Sequence, residues 1–164
     1  MKEINIYTSS KCLSNLEEKP ATYVIKMEYK GTKKYIDDFM LCSTSYRAII
    51  MGIVEAVKHL KEPCKINIYN PCSVGLKKIL DKKGNYKTTS SKYNGDLLNE
   101  LSELLSSRGH AIKEHISNNH LKELNMYHKK YDELFKEYKN RNNINTGQSS
   151  NWNVKSRDNG VSPF

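Results

Sequence analysis

No stretch of this chain is long and apolar enough to cross a bilayer. The most apolar run, Ala48 to Val57 (AIIMGIVEAV), falls well short of the ~20 residues a spanning helix needs. The opening residues, MKEIN, carry no apolar signal core. These two absences predict a cytoplasmic protein without a membrane partner. The four cysteines (Cys12, Cys42, Cys64 and Cys72) include no C-x-x-C pair, which argues against a zinc knuckle and predicts free thiols in a reducing compartment. There is no glycine-rich phosphate loop. The five histidines (His59, His110, His115, His120 and His128) show no metal-binding spacing and are expected to be solvated or partly buried. No base can be named beside Cys72, so thiol catalysis is not indicated.

The 164 residues suffice for one domain with a real core. A hydrophobic content of 37% beside 27% charged residues suits a globular domain with a polar tail. The net charge is +9, with lysine clusters at Lys33-Lys34, Lys77-Lys78, Lys82-Lys83 and Lys129-Lys130. Such a balance is compatible with phosphate binding and equally with a lysine-rich solvated surface.

Periodicity orders the chain. Ile4 and Ile6 alternate with polar neighbours, predicting a first strand over about Ile4 to Thr8. After a polar loop containing Pro20, Tyr23, Ile25, Met27 and Tyr29 alternate, KGTK turns, and Tyr35 to Leu41 returns as the third strand. Ser43 or Thr44 is a suitable N-cap for a helix over Arg47 to Leu60, whose apolar stripe runs from Ala48 through Ile53 and Val57. Pro63 ends that segment, and Cys64 to Asn70 reads as a fourth strand. Ser73 to Leu80 reads as a short helix, and Asp81 to Gly95 as a polar loop with too little apolar content for core. An amphipathic helix over Asp96 to Ser107, a last strand over His110 to Ile116 and a helix over about His120 to Tyr138 follow. Residues 1–139 are therefore predicted to form the domain. Residues 140–164, rich in Asn, Ser and Gly, are predicted to be a disordered tail, with Trp152 an idle aromatic or, in the alternative, a docking point. Three antiparallel strands followed by alternating helix and strand predict an α/β fold with a mixed sheet and helices on both faces.

This order, and the local sequence, resemble the ribonuclease H family. IYTSS (Ile6 to Ser10) resembles the family's first-strand motif I-Y-T-D-G/S. Ser43 to Ile79 resembles T-x-N-x-A-E-L-x-A-x-x-x-A-L, a short connection, then I-Y-T-D-S and a helix. Asp96 to Ile116 continues the match, which extends to about Tyr131 and looks most like the short ribonuclease H proteins of bacterial mobile elements. The resemblance implies a five-stranded sheet in the order 3-2-1-4-5.

It also implies an activity. The family cuts the RNA strand of an RNA–DNA hybrid with two Mg²⁺ ions held by clustered carboxylates. Carried across residue by residue, the first-strand aspartate falls on Ser9, the helix glutamate on Ile49, and the fourth-strand aspartate on Pro71 or, one residue earlier, on Asn70. The last acid falls near His120, Glu123 or Asn125. None of the first three positions holds a carboxylate. Glu55 is six residues beyond Ile49, rotated by roughly 240° to another helix face, and Asp37 and Asp38 are expected to be exposed. The expectation is therefore a catalytically inactive ribonuclease H-like protein with no metal and no cofactor. It would bind nucleic acid (an RNA–DNA hybrid or structured RNA) through Lys11, Lys33, Lys34, Lys77, Lys78, Lys82 and Lys83. The other binding reading is a protein partner, as for an accessory or inhibitor protein of a phage or mobile element. The rival reading is an active ribonuclease H with displaced ligands.

Overall fold

The computed structural model describes residues 1–14 and 18–144. Trp152 and most of the proposed tail lie outside the described residues. The strands are β1 (Lys2–Cys12), β2 (Lys19–Tyr29), β3 (Thr32–Ser43), β4 (Cys64–Asn70) and β5 (Ala111–Ile116). The helices are α1 (Ser45–Lys58), α2 (Gly95–Ser107), α3 (Leu121–His128) and α4 (Asp132–Ile144). The strands form one sheet in the order β3-β2-β1-β4-β5, as expected. β1 runs antiparallel to β2 and parallel to β4, with Ile4 opposite Ile66 and Ile6 opposite Ile68.

Local chemistry explains most boundaries. Lys30 and Gly31 both have positive φ (47° and 82°), the two-residue turn whose twist matches a right-handed hairpin. Thr44, not Ser43, caps α1: its hydroxyl accepts the Arg47 backbone N–H at 3.3 Å. Between them, α1 and α2 bury one face of the sheet, bringing Ile49, Ile53, Val57, Leu98 and Leu101 against Ile4, Ile6, Ile25, Ile66 and Ile68. Gly52 makes this approach possible. A Cβ there would stand 2.6 Å from Ile25 Cδ1 and 2.8 Å from Tyr23 Cδ1.

Several expectations need correction. β1 is 11 residues long, so Ser9 and Ser10 lie within it and not beyond it. The short helix after β4 is a single 3-10 turn, Leu76–Ile79. The following loop contributes Tyr86 to the core, where its hydroxyl donates to the His110 carbonyl at 2.6 Å. The final helix is interrupted by a 3-10 turn at Lys129–Tyr131. That break turns Tyr131 and Phe135 onto Phe39 of β3, forming a second, smaller core. α4 takes in residues 140–144, which the sequence reading assigned to the tail.

Candidate functional site

β1 and β4 run parallel, so their carboxyl ends open at the same edge of the sheet, beside the N-terminus of α1. That is where open α/β sheets place their clefts. A cleft there is lined by Ser9, Ser10, Lys11, Ser45, Tyr46, Ile49, Pro71, Cys72, Leu121, Lys122, Asn125 and His128. Ser9, Ile49 and Pro71, 62 residues apart in sequence at the extremes, thus meet in one place. Of the three candidates for the last acidic position, Asn125 lines the cleft. His120 and Glu123 turn elsewhere.

The side chains at Ser9, Ile49, Asn70 and Pro71 are neutral. Ile49 is wholly buried and belongs to the main core, so it forms the cleft floor and presents no apolar patch. Asn70 is buried behind the lining. It accepts a hydrogen bond from the Thr8 hydroxyl at 2.5 Å and donates to Glu114 at 2.9 Å. Ser9 is bound to α3: its Oγ lies 2.9 Å from His128 Nε2, and His128 Nδ1 lies 2.6 Å from Thr22 Oγ1. Burial, reinforced by nearby Lys11, lowers the His128 pKa from 6.5 to about 4, so the ring is neutral at pH 7. One ring nitrogen donates and the other accepts, and each meets a hydroxyl that can take either role.

A second polar linkage lies alongside on α3. His120 Nε2 donates to the Thr8 carbonyl at 2.7 Å, which leaves Nδ1 buried without a protein partner among the described residues. Glu123 accepts from Lys26 at 2.9 Å and from the Tyr35 hydroxyl, and its pKa is lowered by those two partners. Tyr35 in turn stacks on Tyr127.

The histidines are less exposed than expected: His110, His120 and His128 are buried. His115 stacks on Tyr69 at the sheet edge, on a different element from His120. Asp37 is not an exposed acid either. It accepts from Tyr131 at 2.7 Å and pairs with Lys130 at 2.5 Å beside the second core. Asp38 is half-buried, and desolvation raises its pKa. Glu55 pairs with Lys58 at 3.2 Å, on the solvent side of α1.

The lysines proposed for nucleic acid are not gathered together. Lys11 lines the cleft, pairs with Asp132 at 2.9 Å and lies over the Phe135 ring. Lys33 and Lys34 pair with Glu28 and Met27, next to the hairpin turn and at the end of the sheet opposite the cleft. Lys77 and Lys78 are exposed on the 3-10 turn, with Lys78 donating to Ser91 at 3.1 Å, and Lys82 and Lys83 are exposed in the turn beyond. Lys122, which sequence reasoning missed, lines the cleft opposite Lys11's strand. Its neighbours Leu121 and Asn125 on the same helix face are the signal that could have placed it.

Among the described residues, no group of three or more His, Cys, Asp or Glu side chains could hold a metal ion. The cleft offers hydroxyls, an amide, a neutral imidazole and apolar groups. Mg²⁺ asks for clustered hard, anionic oxygens, and these donors do not fit it.

No family model matches the chain. It is similar to a ribonuclease H of Caldicellulosiruptor saccharolyticus, 34% identical over 121 residues, covering 69% of this chain and 81% of that protein. It is also similar to a ribonuclease H of Clostridium botulinum, 34% identical over 122 residues, covering 69% and 80%. Among solved structures, LC9-RNase H1 superimposes with a TM-score of 0.57 at 15% identity, covering 73% of this chain and 64% of that one. LC11-RNase H1 in complex with RNA/DNA hybrid superimposes with a TM-score of 0.52 at 13% identity, covering 74% and 93%. The structural likenesses bear on the fold; the sequence identity, over four-fifths of a curated relative, places this chain in the ribonuclease H family.

Proposed function

We propose that this chain is a non-cleaving member of its family that binds nucleic acid, an RNA–DNA hybrid or structured RNA, along the cleft. The observation that supports the loss of cleavage is the lining itself. Ser9, Ile49 and Pro71 stand where the resemblance places carboxylates, and no Asp or Glu is among the described lining residues. Two-metal hydrolysis depends on those carboxylates to hold both ions and offset their charge. A serine hydroxyl engaged by His128, a buried isoleucine and a proline do neither. Binding has separate support. One structural neighbour was solved with RNA/DNA hybrid, the net charge is +9, and the cleft carries lysine on two of its sides.

The test uses purified protein and an end-labelled RNA–DNA hybrid. With Mg²⁺ or Mn²⁺ the hybrid should remain intact, while binding should weaken steeply as salt rises, as counterion release requires. Metal-dependent cleavage abolished by a point change in this chain would establish an active ribonuclease H with displaced ligands. No binding to hybrid, duplex RNA or DNA at low salt would leave a protein partner as the ligand.

A further inference from the structure

We infer that the cleft holds backbone phosphates of the bound nucleic acid directly on the ammonium groups of Lys11 and Lys122, one on each, with no divalent cation between protein and phosphate. This rests on the nucleic-acid binding proposed above. A cluster of carboxylates repels a phosphodiester until metal ions reverse its charge. Here that cluster is absent and the sign of the lining is reversed. Its charged groups are two lysines, and His128 is neutral. The function that metal ions serve in a carboxylate site, presenting positive charge to phosphate oxygens, falls to side chains of the protein.

The surroundings suit that ligand. Ser10 and Ser45 place hydroxyls 2.7 Å apart on the same lining, able to donate to phosphate oxygens. Tyr46, 49% exposed at the rim, offers an aromatic face to a sugar or base. Lys122 is exposed and has no ion pair among the described residues. Lys11 is engaged by Asp132, but both side chains are about half exposed (46% and 52%). An exposed pair contributes only about 0–1 kcal/mol, and an ammonium has further N–H donors for a second anion. Glu114 accepts from Asn70 behind the lining.

The experiment measures hybrid binding by fluorescence anisotropy across a salt series, in EDTA and in Mg²⁺ at matched ionic strength. The proteins are the full chain and its Lys11→Gln, Lys122→Gln and Lys58→Gln variants, each checked by thermal melting. Affinity in EDTA should equal that in Mg²⁺. Lys11→Gln and Lys122→Gln should each reduce the slope of log K against log salt by roughly 0.9, one phosphate contact on a duplex, while Lys58→Gln leaves it unchanged. Binding that appears only with Mg²⁺ overturns the inference. So do unchanged slopes in both cleft variants while the parent binds, an outcome that leaves non-cleaving binding itself intact. An equal drop in Lys58→Gln reduces the effect to net charge and overturns the assignment. No binding by the parent overturns both this inference and the reading it rests on.

Discussion

The two faces of the sheet are held by different physics. On the α1 face, Ile6, Ile25, Ile49, Ile53 and Ile68 interlock with no accessible surface. On the α3 face, contacts are specific and polar: His128 to Ser9 and Thr22, His120 to Thr8, and Glu123 to Lys26 and Tyr35. Apolar burial is non-directional, so it tolerates conservative exchange and preserves a fold. Buried polar contacts are directional and costly to leave incomplete, so they specify one arrangement. The family fold therefore resides in the first face. The second face, with the end of β1, carries the cleft and its polar linkages.

The sharpest way to break that comparison is a cavity on the apolar face. Ile53→Ala should cost about 2–5 kcal/mol in urea unfolding; a loss below about 1 kcal/mol would mean the α1 face is not the stabilising layer. Acid is the next probe, directed at the other face. The folded His128 pKa, about 4, lies below the ordinary 6.5. The unfolded chain thus binds more protons between these values, and stability is full above about pH 6.5 and falls as pH drops toward 4. Unfolding free energy should decline by on the order of 2 kcal/mol between about pH 7.5 and about pH 4.5. His110 and His120, also lowered by burial, act in the same direction, whereas Asp38, raised by burial, opposes them. A flat profile, or one unaltered in His128→Gln, would remove His128 from the account. His128→Ala strands two buried hydroxyls and should cost about 1–3 kcal/mol at pH 7.5, with a thermal melt as the readout. Smallest is Lys58→Ala on the exposed side of α1, where the pairs with Glu55 and Glu100 should yield less than about 0.5 kcal/mol. A larger loss would show that these surface pairs contribute more than exposed ion pairs do.

Much of the fold was legible because its signals are local. Ile66 and Ile68 alternate within seven residues of β4, Lys30-Gly31 marks the hairpin, and Thr44 precedes an apolar stripe. That Ser9, Ile49 and Pro71 would share one cleft was legible for the same reason, since each sits in a short motif. The α3 face was not. Ser9 and His128 are 119 residues apart, and Thr22 and His128 are 106. No periodicity announces that a histidine on a short polar helix will reach a serine on β1. The break at Lys129–Tyr131 was hidden too. The run from Leu121 to Tyr138 contains no proline or glycine, and what bends it is the fit of Tyr131 and Phe135 onto Phe39. Asp37 looked exposed because its partners, Lys130 and Tyr131, come from that bend.

On the proposed non-cleaving reading, the bond between Ser9 and His128 stands in the way of a carboxylate site. A Ser9→Asp reversion would place a new carboxylate beside a buried imidazole that now lies 2.9 Å from the serine oxygen. The carboxylate would draw a proton onto that ring and be neutralised by it. Ile49 and Pro71 would still contribute no ligand. A single substitution of this kind therefore yields a buried ion pair before it yields a metal site. Under that reading the histidine locks the neutral cleft in place, since each single substitution would bear the cost of desolvated charge without supplying a metal site.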